Sequence, residues 1–274
     1  MKTVVITGSA RGLGFEMAKQ FIKNDYNVVI CDILEEKLEE SKKALESLNS
    51  NENNVLALKC DVTVESDLQN VMDKTIEKYK AVDIWINNAG VNQPMCAIWE
   101  VDSDKINRLI DIDLKSAIIG SKIAMKQMKK QGYGQIYGIE GYGSNDAMML
   151  GLSVYGTSKR GLTYFLDALA KEVEEEKLPI QIGKLSPGIM ITDFITHSMG
   201  NEEFELPEKT KKVYNILGDY PDVIAEFLVS KMITNKKNGV RINWLTNTKA
   251  SLRFMTCAFN KRNFFKALES GKNN

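Results

Sequence analysis

Short apolar runs alternate with longer helical patterns along the chain. Seven of these runs are rich in β-branched or other apolar residues, as in parallel strands that are buried on both faces. The predicted strands are Val4–Thr7, Asn27–Asp32, Val55–Cys60, Ile84–Asn87, Gln135–Ile139, Ile180–Leu185 and Gly239–Trp244. Helical patterns lie between them at Leu13–Asn24, Glu35–Leu48, Glu65–Lys80, Asp104–Gln131, Val154–Glu176 and Pro221–Thr234. The alternation predicts an α/β fold, in which a doubly wound, seven-stranded parallel sheet carries helices on both faces and binds ligands at the carboxyl ends of its strands.

The organisation of the chain indicates one domain. No linker rich in Pro, Gly or Ser and no block of charge divides the 274 residues, and 43% of them are hydrophobic, which is enough for a sizeable core. We therefore expect a single-domain Rossmann fold over residues 1–274, with a C-terminal extension that starts near residue 247.

Charge and cysteine content narrow the class of ligand. The 36 basic residues balance the 36 acidic ones, so the overall charge gives no reason to bind nucleic acid, and we expect a small-molecule ligand. Four scattered cysteines and the single His197 offer no metal-binding spacing, so we expect reduced thiols and no metal. The first strand starts close to Met1 and charges interrupt every apolar run, so we expect a cytoplasmic protein with no signal peptide and no integral membrane segment.

A glycine-rich turn follows the first predicted strand. Gly8, Gly12 and Gly14 stand between that strand and a helix, where backbone N–H groups can hold a pyrophosphate. Asp32 ends the second strand, where its carboxylate can bind the 2′-hydroxyl of an adenosine ribose and repel a 2′-phosphate; its alternative role is a helix cap. Arg11 acts in the opposite direction, because a basic residue can pair with that phosphate. On balance the sequence favours NAD(H), and NADP(H) stays possible.

Tyr155 and Lys159 form the second candidate site. They are four residues apart on a predicted helix and so share a face. The ammonium of Lys159 can then stabilise a phenolate whose ordinary pKa, about 10, is too high for a base at neutral pH. A dinucleotide site combined with an activated tyrosine indicates hydride transfer.

These motifs, taken in order, resemble the classical short-chain dehydrogenase/reductase family. Thr7–Gly14, the run Asn87-Asn88-Ala89-Gly90 and the stretch Tyr155–Lys159 occur in the family's order, and the resemblance covers nearly the whole chain. The segment from Gly134 to Gly188 is most similar to the chlorophyll(ide) b reductase branch. The resemblance implies that Tyr155 is the general acid/base at the carbinol oxygen, while Lys159 lowers its pKa and binds the nicotinamide ribose.

The resemblance also implies the residues around the cofactor. Asp61-Val62 match the pair that meets the adenine ring, Asn87 to Gly90 match a segment beside the cofactor, and Pro187 to Thr192 match the loop that holds the nicotinamide carboxamide. Asp61, Asn88 and Gly90 could instead serve only as turn residues. The predicted cofactor-binding residues are Gly8, Ser9, Arg11, Gly12, Leu13, Gly14, Asp32, Asp61, Val62, Asn88, Ala89, Gly90, Tyr155, Lys159, Pro187, Gly188 and Thr192.

Two positions depart from the family pattern. Glu140-Gly141 occupies the place where most relatives have two serines, one of which polarises the substrate oxygen. The nearest hydroxyls are Tyr142 and Ser144, and Ser144 is either the substitute for that serine or an ordinary turn residue. Asp113 stands where the family usually has asparagine, and it either pairs with Lys159 or is only a residue on the helix face.

The expected function is that of an NAD(P)-dependent oxidoreductase acting on the carbonyl/alcohol pair of a mostly apolar or cyclic substrate. The alternative is a non-catalytic dinucleotide-binding or sensing protein, in which the changes at Gly141 and Asp113 mark a decayed site. Reduction of a chlorophyll-type pigment is a weaker option. By resemblance, the helices predicted at Asp104–Gln131 and Val154–Glu176 pair two subunits, so we expect a homodimer or homotetramer.

Two segments stand outside the βα alternation. Thr192–Tyr220 resembles a substrate lid, and its apolar side chains could line a pocket or pack on their own domain; they are Phe194, Met199, Phe204, Tyr214 and Leu217.

In the tail, residues 249–274 include six basic residues and one acidic residue, a formal charge of +5. Leu252, Met255 and Phe259 recur there at helical spacing, which predicts a basic amphipathic helix or helix pair. We expect this stripe to pack on the parent domain or on a neighbouring subunit, with an acidic membrane surface as the alternative.

Overall fold

The computed structural model describes residues 1–48, 54–93, 95–190, 208–259 and 262–265. Its seven strands form one sheet in the order β3-β2-β1-β4-β5-β6-β7, and every neighbouring pair is parallel. The strands are β1 (Thr3–Thr7), β2 (Asn27–Asp32), β3 (Val55–Lys59), β4 (Ile84–Asn87), β5 (Gly134–Ile139), β6 (Ile180–Ser186) and β7 (Val240–Asn243). The predicted strands and the Rossmann fold class are therefore confirmed.

The described helices cover both faces of the sheet. They are α1 (Gly12–Lys23), α2 (Glu35–Glu46), α3 (Glu65–Tyr79), α4 (Ser103–Ile110), α5 (Ser116–Gln131), α6 (Ser153–Glu175), α7 (Glu208–Leu217), α8 (Pro221–Thr234) and α9 (Asn247–Thr256). Alternate strand residues enter opposite cores: Val4 and Ile6 pack with α1, α2 and α8, while Val5 packs with α3, α5 and α6. Because both faces are covered, the strands appear in the sequence as nearly continuous apolar runs.

The long helix predicted at Asp104–Gln131 is interrupted. A π turn, Asp111–Lys115, separates α4 from α5 and contains the buried Asp113. A π turn adds one residue to a helical turn, so it shifts the side chains that follow onto a different face. The apolar spacing continues on both sides of the turn, which is why the pattern alone predicts one uninterrupted helix.

The two segments outside the alternation are described in part. Thr192, Phe194, Met199 and Phe204 lie outside the described residues, whereas Tyr214 and Leu217 are half-buried on α7. The predicted helix in the tail is present as α9. Across the described part of the chain, no helix combines the length and apolar character that crossing a bilayer requires.

Candidate active site

The glycine turn leaves the N-terminus of α1 open. Gly8 and Gly12 have φ of +61° and +60°, a left-handed conformation that side chains disfavour. A Cβ at Gly8 would lie 2.6 Å from the Cα of Ala89, whereas a Cβ at Gly12 would meet no described atom within 4 Å. In the described first turn of α1 no residue is acidic, and no side chain caps the helix. Its backbone N–H groups are therefore suited to an anion such as a pyrophosphate.

Asn88 and Ala89 support this turn from the end of β4. The Asn88 amide donates to the carbonyl oxygens of Thr7 (2.9 Å) and Gly8 (2.8 Å), and the Thr7 hydroxyl accepts the N–H groups of Asn88 and Ala89. Ser9 is fully buried, and its hydroxyl donates to the Ile6 carbonyl and accepts the Cys31 N–H. The Ser9 side chain therefore ties β1 to β2.

The predicted adenosine residues follow β2 and β3. The Asp32 carboxylate accepts the N–H groups of Ala10 and Leu34, both at 3.1 Å, so it holds the glycine turn and the residue before α2 together. Arg11, which follows Ala10 in the chain, is exposed and has an extended backbone conformation. Asp61 accepts the N–H and the hydroxyl of Thr63 at 2.9 and 2.7 Å.

The remaining predicted cofactor residues occur in three places. Leu13 is buried next to the glycine turn, and Val62 is buried directly after Asp61. Pro187 and Gly188 follow β6, and Gly188 has φ of +74°, where a Cβ would lie 2.7 Å from the Leu245 Cβ. Thr192 lies outside the described residues.

Tyr155 and Lys159 lie one turn apart on α6, and both are buried. The Lys159 ammonium is 5.5 Å from the centroid of the Tyr155 ring. The Tyr155 N–H donates to the Gln93 side chain at 2.7 Å, and Gln93 in turn donates to the Gly151 carbonyl at 2.6 Å. Gln93 is thus a buried residue that fixes the start of α6, and no motif in the sequence identifies it.

Asp113 joins this pair from the π turn. One carboxylate oxygen accepts the Val91 N–H at 2.8 Å, and the other lies 2.9 Å from the Lys159 ammonium. Both side chains are almost fully buried. A Cβ at Gly90 would lie 3.5 Å from both the ammonium and the carboxylate, so Gly90 borders the ion pair. Of the two alternatives for Asp113, the structure contains the ion pair.

Burial controls the electrostatics of this group. It raises the pKa of Tyr155 to about 12; the charge of Lys159 lowers that pKa, and Asp113 and Tyr214 raise it. Lys159 thus acts in the predicted direction, but burial outweighs it. Burial also lowers the pKa of Lys159, yet the charges of Asp113 and Tyr155 hold that pKa above its ordinary value. Burial raises the pKa of Asp113 against the effect of Lys159. At neutral pH the phenol is therefore protonated.

Gly141, which has no side chain, stands at the position of the family serine. A Cβ at Gly141 would overlap the Tyr155 hydroxyl, so a serine at this position does not fit the phenol as placed. The Ser144 hydroxyl accepts the Gly141 N–H at 3.2 Å and donates to the Lys159 carbonyl at 3.3 Å. Tyr142 donates to the Met148 carbonyl at 3.1 Å.

The described partners of the Glu140 carboxylate lie on α6 and β7. Its buried carboxylate accepts the Thr163 hydroxyl at 2.9 Å and pairs with Arg241 at 2.7 Å. These contacts join β5, α6 and β7, so we assign Glu140 a structural role.

Among the described residues, no group of three or more His, Cys, Asp or Glu side chains could hold a metal ion.

Comparisons with known proteins agree with this geometry. A family model described as short chain dehydrogenase matches residues 2–203. A probable chloroplastic chlorophyll(ide) b reductase of Arabidopsis thaliana is 28% identical over 96% of this chain and 54% of its own length, so the chain spans about half of that relative. A chloroplastic chlorophyll(ide) b reductase of Oryza sativa subsp. japonica is 30% identical over 94% of this chain and 76% of its own.

Two solved structures share the fold. The 3-ketoacyl-(acyl-carrier-protein) reductase from Brucella melitensis, complexed with NADH, has a TM-score of 0.77 at 21% identity, over 90% of this chain and 98% of that one. A metagenomic short-chain oxidoreductase in complex with NADP has a TM-score of 0.70 at 18% identity, over 88% and 95% of the two chains.

Proposed function

The chain belongs to the short-chain dehydrogenase family, and we propose that it is an NAD(P)-dependent oxidoreductase that interconverts a carbonyl group and an alcohol. The observation that carries this proposal is the buried Tyr155–Lys159 pair on α6, at the same sheet edge as the open glycine turn. The family match supports the oxidoreductase class that the sequence predicts.

The residues at the ends of β1 and β4 fit a dinucleotide. The glycine turn is open at Gly12, and no described side chain caps the start of α1. The backbone N–H groups there can therefore bind a pyrophosphate. Lys159 would bind the nicotinamide ribose, and Pro187, Gly188 and Thr192 would hold the carboxamide. The cofactor, when bound, supplies or accepts the hydride.

NAD(H) is the cofactor we propose in preference to NADP(H). Asp32 presents a carboxylate beside the glycine turn, and a like charge close to a 2′-phosphate is unfavourable. Arg11 could offset this repulsion, since it stands at the start of α1. Of the two solved structures that share the fold, the Brucella melitensis reductase is complexed with NADH and the metagenomic oxidoreductase with NADP. The choice between the two cofactors therefore rests on the residues of this chain.

The protonation state of Tyr155 suits a general acid in carbonyl reduction, and its phenolate would be the base in the reverse reaction. Because burial keeps the pKa of Tyr155 at about 12, the phenol is protonated at neutral pH and can donate to a substrate oxygen as negative charge develops there. Lys159 remains charged through its contact with Asp113 and stabilises the phenolate that is left behind. Asp113 therefore positions Lys159.

Ser144 is our proposed donor to the substrate oxygen. It lies in the turn that follows β5, where it binds the N–H of Gly141, the glycine that packs closely against the Tyr155 hydroxyl. To reach a substrate, the Ser144 hydroxyl would have to release the Lys159 carbonyl.

The substrate is proposed to be mostly apolar or cyclic. Trp99, Met148 and Leu150 are strongly exposed in the loops after β4 and β5, at the edge of the sheet that carries Tyr155. The two plant relatives are named for chlorophyll(ide) b, so a tetrapyrrole pigment is one candidate.

We further propose a cytoplasmic location, consistent with four free cysteines, and a homodimer or homotetramer that pairs through α5 and α6.

The second candidate is a non-catalytic protein that binds or senses the dinucleotide. It is favoured by Gly141 in the place of a serine and by Asp113 in the place of an asparagine. It predicts tight cofactor binding without turnover of any carbonyl compound.

A comparison of Tyr155→Phe with the wild type tests the proposal. Oxidation of NADH and NADPH would be followed with a panel of apolar and cyclic carbonyl compounds. We expect a loss of turnover of more than about a hundredfold, because a general acid is removed, while nucleotide binding is retained. Tyr164→Phe is the matched control, since Tyr164 lies on the same helix and is 76% exposed. Near-normal turnover in Tyr155→Phe would contradict the assignment.

A further inference from the structure

Two arginines fasten the C-terminal tail to the domain. Arg253 on α9 and Arg262 further along the tail both pair with Asp219, at 2.7 and 2.6 Å. The apolar tail residues that we expected to pack on the domain at helical spacing are exposed instead; they are Leu252, Met255 and Phe259. The ion pairs to one carboxylate, and not the apolar spacing, therefore anchor this part of the tail.

Asp219 is buried between α7 and α8. Its carboxylate also accepts the indole N–H of Trp244 at 2.7 Å, in addition to the two guanidinium groups. Burial raises the pKa of Asp219, but the hydrogen bonds from Arg262, Trp244 and Arg253 outweigh it and hold that pKa below its ordinary value. The carboxylate is therefore charged at neutral pH, and charge-assisted hydrogen bonds of this kind are strong.

The same two arginines complete the C-terminal end of α7. Arg253 donates to the Leu217 carbonyl at 2.8 Å, and Arg262 donates to the Ile216 carbonyl at 3.5 Å. The last carbonyl groups of a helix have no partner within the helix, and the negative end of the helix dipole favours cations. The tail thus fixes the chain just before Asp219 as well as the Asp219 side chain.

The backbone of Asp219 binds the loop that follows β6. We call residues 187–190 the β6 loop. The Asp219 N–H donates to the Ile189 carbonyl at 3.0 Å, and Met190 forms a parallel bridge with Asp219. A Cβ on the glycine of this loop would lie 2.7 Å from the Leu245 Cβ, so the loop also packs tightly against the chain that follows β7. The β6 loop is therefore held both by Asp219 and by the segment after β7.

We propose that Asp219 is a positioning residue for the nicotinamide end of the cofactor, because it holds the β6 loop in place. The inference rests on the proposed dinucleotide site, in which Pro187 and Gly188 of this loop hold the carboxamide. Arg253 and Arg262 act through Asp219, since they fix the carboxylate of the residue whose N–H binds the loop. The tail then contributes to cofactor binding without touching the cofactor.

Binding of NADH and of ADP-ribose to the full-length protein, measured by titration calorimetry, tests the proposal. ADP-ribose has the adenosine, the pyrophosphate and the second ribose of NADH but no nicotinamide, so its binding should not depend on the β6 loop. In Asp219→Asn we expect the dissociation constant of NADH to rise about tenfold, because the arginines lose the charge that holds them. The dissociation constant of ADP-ribose should stay at its wild-type value.

Two further variants complete the experiment. Asp222→Asn is the matched control, since Asp222 is exposed three residues further along the chain, and it should bind both ligands like the wild type. Trp244→Phe removes one donor to Asp219 but keeps an aromatic ring against Phe227, so it decides the question if Asp219→Asn does not fold. It should weaken NADH binding and spare ADP-ribose binding, to a smaller extent than Asp219→Asn.

The outcomes separate the positioning role from the dinucleotide site. If a folded variant loses affinity equally for NADH and ADP-ribose, Asp219 supports the domain in general, and the positioning role is overturned. Unchanged affinity for both ligands would overturn it as well, and in either case the dinucleotide site stands. A wild-type protein that binds neither NADH nor ADP-ribose would overturn the dinucleotide site and, with it, the role of Asp219.

Discussion

Asp113→Asn tests how the buried ion pair controls Tyr155. The substitution preserves the shape of the side chain and the acceptor for the Val91 N–H, but it removes the carboxylate that lies 2.9 Å from the Lys159 ammonium. Both members of this pair are almost completely buried. The variant therefore separates the charge of Asp113 from its packing.

The magnitude follows from burial and distance. Removing one partner of a buried ion pair commonly costs about 3–5 kcal/mol, because the other charge is left without compensation. Since burial already acts to lower the pKa of Lys159, that pKa should fall when Asp113 no longer opposes it. Asp113 raises the pKa of Tyr155, so the pKa of the phenol should also fall while Lys159 stays charged. A neighbouring charge within a few ångströms typically shifts a pKa by about 1–3 units.

The sign of the activity change depends on the direction of the reaction. Carbonyl reduction needs protonated Tyr155, so its rate declines as pH rises through the pKa, and the variant should show this decline at lower pH than the wild type. Alcohol oxidation needs the phenolate, so its rate should begin to rise at lower pH in the variant. We expect displacements of at least about one pH unit in both profiles.

The assay is the pH dependence of kcat in both directions, together with thermal unfolding. Asp111→Asn is the matched control, because Asp111 occupies the same π turn and pairs with Lys115 at the surface. A surface pair is worth about 0–1 kcal/mol, so this control should change little. If the profiles of Asp113→Asn and the wild type superimpose, the charge of Asp113 does not act on Tyr155.

Two further predictions concern the cofactor and the space around the phenol. The wild type should bind NADH more tightly than NADPH in fluorescence titrations, and Asp32→Ala should narrow or reverse that preference, because a charge that repels the 2′-phosphate is removed; tighter NADPH binding by the wild type would show that Arg11 prevails. Gly141→Ala should lower kcat at least about tenfold, since its Cβ would overlap the Tyr155 hydroxyl and overpacking costs about 1–3 kcal/mol. The control Gly156→Ala should be tolerated, because a Cβ there would meet its nearest described neighbour at 3.9 Å, and equal effects of the two alanines would contradict the steric argument.

The sequence by itself determined the sheet and the main reactive groups. Strands buried on both faces appear as apolar runs whatever their neighbours are, so every strand was predicted to within a residue or so at each end. The glycine turn and the Tyr155–Lys159 pair were also predictable, because they depend on local backbone geometry and on helical spacing.

Contacts between distant segments were decided only by the tertiary structure. The π turn that directs Asp113 towards Lys159 leaves no trace in the apolar spacing, and Gln93 reaches the start of α6 from a different loop. Lys159 lowers the pKa of Tyr155 as the sequence predicts, but burial raises that pKa by more, and the extent of burial depends on the packing of several elements. The amphipathic pattern of α9 was visible in the sequence, but Asp219 determines which face of the helix is outward. Local propensity acts over a few residues, whereas burial and ion pairing depend on which segments the fold brings together.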